Sequence, residues 1–414
     1  MQRTMDNRAV NLFIAGLIFL LPVTMATVEH SASTIFGLLF LMGLVWGWPE
    51  WKNLQADERH VLYAGLIFFA AATLSLMNSD DMSKSISRLE RLLRFVGVVP
   101  IYLLLRQLKL DALKYLQWGV VVAGPVVLWS SIVDIENGRA DGAYNAILFG
   151  NFTILIAVFS LAIAIICRKQ RWLLLLALIS MAGALYASVM SLTRGSWLAF
   201  PVAALVVLAH FLYTSNNRRD RLKRFFLATL LLAGGLFVAT NSTIVHDRMV
   251  EAGRNLVQFA SGGDGNTAVG ERLLMWEISY DIWQKNPMIG SGLGDYFTDM
   301  KQIMAAGETT LITAYGEAHS IYFEFLATTG LLGLITMLLA LIVLPLRFFT
   351  AAYVSRRDDM HLFAPVAGVL LVLTFAVFGI GQNWAGRSSI SSVYVVLLAL
   401  LMVSTNRQKG LYER

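Results

Sequence analysis

Apolar stretches of about 16–25 residues recur along most of the chain with short polar breaks between them, each long enough to cross a hydrocarbon core of about 30 Å. A soluble fold could not bury so much apolar length. Composition agrees: the 414 residues are 57% hydrophobic and 14% charged, with a mean hydropathy of +0.63, against roughly a quarter charged in an ordinary soluble domain. The expected fold is all-α, a polytopic integral membrane protein forming one transmembrane domain over residues 1–414. The first stretch, Val10 to Val28, follows Arg3 and Arg8 but is long and lacks a small-x-small cleavage site, so it is read as a retained helix.

The expected spans are roughly 9–28, 32–48, 60–77, 95–108, 115–133, 145–167, 172–191, 196–213, 225–240, 318–345, 361–380 and 389–404, about twelve helices with both termini on one side. Placing the termini inside gathers Arg168, Lys169 and Arg171 in one turn, and Arg218, Arg219, Arg221, Lys223 and Arg224 in another. Arg347, Arg356, Arg357, Arg407, Lys409 and Arg414 also fall inside. Nine arginines and three lysines remain outside, so 21 of the 33 basic residues are internal, the expected bias. The net charge of +6 therefore reports orientation, not a nucleic-acid partner. The single cysteine, Cys167, excludes an internal disulfide and is read as a helix-packing residue.

One external loop is large, residues 241–317. It carries a turn at Ser261–Asn266, then a stretch in which Leu273, Met275, Trp276, Ile278, Ile282 and Trp283 combine helical spacing with interface-seeking tryptophans. A helix lying on the membrane surface is expected there, ended by Pro287 and the turn Gly290–Gly294. That glycine run follows no strand, which excludes a dinucleotide site.

The external minority of charges is rich in arginine: Arg88, Arg91, Arg94, Arg139, Arg194, Arg248, Arg254, Arg272 and Arg387. A guanidinium at membrane depth is costly and finds a partner, and its planar fork suits phosphate. Arg194, in the short turn Ser191–Trp197, is either such a ligand or a headgroup anchor. Arg88 and Arg91 are either ligands or a solvated face balanced by Glu90. Of six histidines, His60, His210 and His361 fall at internal ends and His30, His246 and His319 outside. His319 opens a long apolar helix, with Tyr322 and Phe323 expected on its face; a neutral imidazole there can accept a proton, or simply hydrogen-bond a loop. Asp80 and Asp81 form the one acidic pair a metal-dependent transferase would use, but Ser79 and Asp80 also suit a helix N-cap. No external carboxylate cluster has metal-ligand spacing, so no metal or cofactor is expected, and arginines are expected to meet phosphate charge.

Three segments in order resemble the O-antigen ligase and polymerase superfamily: Thr193–Ala199; Arg272–Trp276 with Asn286–Gly294; and Ala318–Ser320 running on to Gly330–Gly333. The resemblance covers roughly residues 191–333; the N-terminal half matches in topology alone. It implies a transferase of the bacterial inner membrane that moves a glycan from an undecaprenyl-pyrophosphate carrier to an acceptor on the periplasmic face, by inverting displacement without metal. In the ligase branch the acceptor is the lipid A–core oligosaccharide. By the same resemblance Arg194, with Arg272, Arg88, Arg91 and Arg387, would hold the pyrophosphate, and His319 would be the base. Ser320 departs from the asparagine frequent at that position.

A polymerase of the superfamily would share these residues, and a protein O-oligosaccharyltransferase would use a protein hydroxyl. The compact length and the lack of a large extra soluble domain favour the ligase. A transporter or flippase also explains twelve helices, but predicts polar residues spread along the spans, which here are nearly uncharged.

Overall fold

The computed structural model describes residues 7–136, 138–167, 170–214, 219, 222, 243–263, 265–355 and 362–410. The span expected at 225–240 lies outside them, as do Arg3, Arg168, Lys169, Arg218, Arg221, Lys223, Arg224, Arg356, Arg357, Arg414, His361 and, within the expected turn, Asp264.

Among the described residues the structure is all-α apart from one hairpin of two-residue strands, and the chain is a multi-pass membrane protein. Among the described residues, seven helices are long and apolar enough to cross a membrane, and three shorter apolar helices accompany them. The order begins α1 (Arg8–Thr24), α2 (Ser31–Trp46), α3 (Ala56–Leu74), α4 (Met82–Val96), α5 (Val98–Arg106) and α6 (Ala112–Val133). The hairpin β1 (Ile135–Glu136) and β2 (Arg139–Ala140) follows, then α7 (Ala146–Ile166), α8 (Arg171–Met190), α9 (Arg194–Trp197) and α10 (Ala199–Tyr213). After the large loop come α14 (Ile321–Leu338), continued through a π-helical turn into α15 (Leu344–Val354), then α16 (Phe363–Gly381) and α17 (Ser388–Gly410).

Among the described spans α7 and α17 are the most enclosed, and small residues bring neighbouring helices close in the bundle. A Cβ on Gly119 of α6 would stand 2.3 Å from the Phe19 carbonyl oxygen of α1, and one on Gly124 would stand 2.3 Å from Ser180 of α8. Ser180 donates to the Val120 carbonyl (2.8 Å) and accepts from Ser160 of α7 (2.9 Å), so the polar groups of this seam are satisfied. The spans are not free of charge. At the end remote from the large loop the fully buried Glu58 accepts hydrogen bonds from Arg106 (2.6 and 2.8 Å), Asn406 (2.5 Å) and Tyr102.

Two expected spans are corrected. The one expected at 95–108 is not among the described helices long and apolar enough to cross a membrane: α5 covers only Val98–Arg106, and the arginine-bearing α4 leads into it through Gly97. The cap of α4 is Asp81, whose carboxylate accepts from the Lys84 amide at 3.0 Å, instead of Ser79 or Asp80. The span expected at 318–345 starts at Ile321 and is broken at Gly330, which has φ +63° and ψ −165°. There the loop 287–292 inserts into the helix. The amides of Leu331 and Leu332 donate to Pro287 and Met288, and those of Ser291 and Gly292 donate to Ala327 and Thr328. Gly290, also at positive φ, lies so close that a Cβ would come 2.3 Å from the Thr328–Thr329 backbone. The two glycine motifs are therefore one joint.

The large loop folds into α11 (Thr243–Ala260), α12 (Gly270–Lys285) and α13 (Tyr296–Ala305). The expected amphipathic helix is α12, but Leu274, Met275, Ile278 and Ile282 are buried in a second core with Tyr296, Met300 and Ile303 of α13. Its apolar face is therefore turned to protein; Trp276 stacks on Phe323 of α14 with ring centroids 4.9 Å apart. Large apolar and aromatic residues lie all round α12, Tyr280 being exposed, so periodicity does not single out the side that packs.

Candidate functional site

Segments from five parts of the sequence, joining the long helices, meet at the end of the bundle that carries the large loop: 79–81, 134–145, 191–197, 243–320 and 382–387. Asn78 donates to the Gly290 carbonyl (2.8 Å), and the amides of Asp80 and Asp81 donate to the buried Asp295 carboxylate (2.9 and 2.8 Å). This acidic pair is thus a docking point for the loop.

His319 precedes α14 and sits outside it, in a left-handed conformation with φ +50°. Helical spacing consequently does not apply to it, and the expected shared face with Tyr322 and Phe323 is not formed. Tyr322 donates to Ala376 of α16 (2.7 Å) and Phe323 turns to Trp276, while the His319 ring meets Tyr315 edge-on at 5.8 Å. The strained backbone is held from both sides. The buried carboxylate of Glu324 accepts the Ala318 amide (2.7 Å) and pairs with Arg88, which also donates to the Gly316 carbonyl; Ser320 donates to Gly379 (3.1 Å).

Nδ1 of His319 lies 3.6 Å from Oε1 of Glu317, and Arg387 holds that same oxygen at 2.5 Å. Burial pushes the His319 pKa below the ordinary histidine value; the Glu317 carboxylate pulls it up, and Arg272 and Arg387 push it further down, with Glu271 a weaker upward influence. The imidazole is neutral at neutral pH, a proton acceptor. Tyr315 links the loop to α12 by donating to Glu271 at 2.8 Å.

The sequence-selected arginines separate. Arg272 of α12 is half-buried and close to both His319 and Arg194, and among the described residues its guanidinium has no hydrogen-bond or carboxylate partner; burial and Arg194 both disfavour its charge. Arg194 donates to the Arg248 carbonyl (2.8 Å) and lies 3.5 Å from Glu251, beyond the turn where Leu192 takes φ +54°. Arg88 is committed to Glu324 and Gly316, not balanced by Glu90 as its spacing on α4 suggested. Arg91 donates to Gly386 (3.3 Å), and Arg387 is engaged by Glu317 while its Nε is buried without a partner. Arg272 and Arg194 thus lie together near His319, and Arg88, Arg91 and Arg387 brace the loops around it.

Sequence reading did not select Glu317, Asp141, Asn145 or Gln382. They line or support a cleft of about 280 Å³ beside His319, bounded also by Arg139, Ala146, Ile147 and Arg387. Arg139, on β2, donates through Nε to Ser191 (3.0 Å); its burial disfavours the cation, Asp141 favours it, and Arg248 and Arg194 oppose it. Gly142 sets the turn after β2: at φ +57° it lies where a Cβ would strike Phe149 at 2.3 Å. Trp384, fully buried and donating to Phe375 (2.9 Å), anchors the loop carrying Gln382 and Arg387. The sequence placed this loop between two spans and selected Arg387 in it, but had no signal for Gln382. Among the described residues no group of three or more His, Cys, Asp or Glu side chains is placed to hold a metal.

Comparison with known sequences adds an independent line. Residues 179–338 match the family described as O-antigen ligase, a segment running from α8 through the whole large loop to the end of α14. The chain is 26% identical over 295 residues to an O-antigen ligase of Escherichia coli, covering 69% of this chain and 64% of that protein, just under two thirds of its length. It is also 24% identical over 403 residues to an uncharacterized protein of Haemophilus influenzae, covering 95% of this chain and 98% of the relative.

Proposed function

We propose that this chain, a member of the O-antigen ligase superfamily and so of a group of membrane ligases that act on glycans, joins a lipid-linked glycan to the lipid A–core oligosaccharide. The donor is a glycan on undecaprenyl pyrophosphate, and the site faces the periplasm from the bacterial inner membrane. The observation that carries this reading is the placing of His319, 3.6 Å from the Glu317 carboxylate, close to the half-buried Arg272, whose guanidinium has no hydrogen-bond or carboxylate partner among the described residues.

The acceptor hydroxyl oxygen forms a bond to the anomeric carbon of the donor glycan while the bond from that carbon to the pyrophosphate oxygen breaks. The hydroxyl proton passes to His319, the configuration inverts, and undecaprenyl pyrophosphate leaves. Arg272 and Arg194 meet the charge that develops on the leaving group, a role suited to fixed donors in a half-buried site. Glu317 orients His319 and stabilises the imidazolium that forms. The reaction needs no metal in this scheme.

The E. coli relative's name favours the ligase over the polymerase or the protein-directed transferase. A deletion strain tests this directly. A ligase predicts loss of the long lipopolysaccharide ladder with accumulation of lipid-linked polymer; single-repeat bands would show a polymerase instead, and an unchanged ladder would remove the protein from both roles.

A further inference from the structure

We infer that the cleft formed by Arg139, Asp141, Asn145, His319, Gln382 and Arg387 is the acceptor subsite and seats one sugar ring of the acceptor through its hydroxyl groups. The inference rests on His319 being the base of the proposed transfer, since a base touches the hydroxyl it deprotonates and His319 lines this cleft.

The volume limits the occupant. About 280 Å³ lies below the roughly 300–1,000 Å³ of pockets that enclose drug-sized ligands, so the cleft takes a single ring, and the rest of the oligosaccharide lies outside it.

Its hydrogen-bonding groups select the chemistry. Gln382 is 3% exposed, and its Oε1 accepts from Asn151 at 2.5 Å, so its free end is the Nε2 donor. Among the described residues the Asp141 carboxylate has no hydrogen-bond partner, which leaves an acceptor-only group on the same cleft. The Asn145 Oδ1 caps α7 by accepting from Ile147 and Leu148 (3.1 and 3.0 Å), leaving its amide nitrogen for the cleft. Sugar hydroxyls both donate and accept, and so match a carboxylate facing amide and guanidinium donors. A pyrophosphate only accepts, and the Asp141 charge opposes it. Arg194 and Arg272 do not line the cleft, so the arginines assigned to the donor are distinct from the groups assigned to the acceptor.

The test is initial-rate kinetics of purified full-length protein with a lipid-linked glycan donor and a lipid A–core acceptor, each varied in turn. Asp141→Asn, nearly isosteric, and Asp141→Ala should raise the acceptor KM about ten-fold or more, as losing a hydrogen bond to a charged group does, and leave the donor KM within about two-fold. Gln382→Met should raise the acceptor KM as well. Were the cleft the pyrophosphate site, Asp141→Asn would lift a repulsion and lower the donor KM, which overturns the assignment. An acceptor KM unchanged in Asp141→Asn, with unfolding temperature also unchanged, overturns it too. Failure of the readings beneath it is separate: a parent protein that transfers no glycan in this assay would remove the transferase reading, and an active His319→Ala protein would remove the base on which the subsite rests.

Discussion

Oε1 of Glu317 stands 3.6 Å from Nδ1 of His319, an ion-pair distance once the ring is protonated. That oxygen is held by Arg387, and the backbone on either side of Glu317 is held by Arg88 and Glu324. The charges around the ring come from four elements: Glu317 from its own loop, Glu271 and Arg272 from α12, Arg387 before α17, and Arg139 with Asp141 across the cleft.

Because Glu317 raises the His319 pKa, Glu317→Gln should lower it. The transfer rate of the parent falls as pH drops through the folded-state pKa, itself below 6.5, and in Glu317→Gln this acidic limb should move to lower pH. The plateau rate should fall as well, since a weaker base is used. Arg387→Gln should move the limb the other way. A limb that stays in place in both variants would leave Glu317 a purely structural residue.

Removing the base should cost a factor of about 100 to 10,000 in rate. His319→Ala should insert in the membrane at parental abundance, still bind the pyrophosphate carrier, and fail to transfer. His30, exposed beside Glu29, and His246, exposed on α11, are the controls and should tolerate alanine. Near-normal transfer by His319→Ala would require another base.

Arg194→Lys should be nearly as damaging as Arg194→Ala, because an ammonium cannot hold the Arg248 carbonyl and a phosphate oxygen together in one planar fork; the loss is about 1.5–3 kcal/mol in transition-state stabilisation. Arg272→Lys should behave in the same way. Donor binding by each variant is the measurement, and a lysine variant with parental affinity would make that arginine an interfacial anchor.

Arg88 should respond as a structural residue. Arg88→Ala leaves the Glu324 carboxylate buried and unpaired, a loss of about 3–5 kcal/mol, whereas the pair Arg88→Met with Glu324→Gln should recover much of it. Unfolding temperature in detergent distinguishes them. A stable Arg88→Ala protein with a raised donor KM would return Arg88 to the phosphate ligands.

Transfer should persist in a chelator, since arginines are assigned to the pyrophosphate charge. Activity that disappears with chelator and returns with magnesium or manganese would contradict this assignment and reopen the role of the Asp80 and Asp81 carboxylates.

The sequence alone determined that the chain is helical and crosses a membrane repeatedly, because length and apolarity of a segment are local quantities fixed by the thickness of the hydrocarbon core. External charge together with the resemblance of three short segments also singled out His319, Arg194, Arg272, Arg88, Arg91 and Arg387. The tertiary structure decided which of the external charges are used up by one another. Arg88 and Glu324 are 236 positions apart, and Arg387 and Glu317 are 70 apart; nothing in local spacing couples them. The same limit concealed the break at Gly330, where apolar residues on both sides keep the hydropathy continuous while an inserted loop supplies the missing hydrogen bonds. It also concealed the cleft, whose polar walls are brought together only when helix ends far apart in the chain pack against one another.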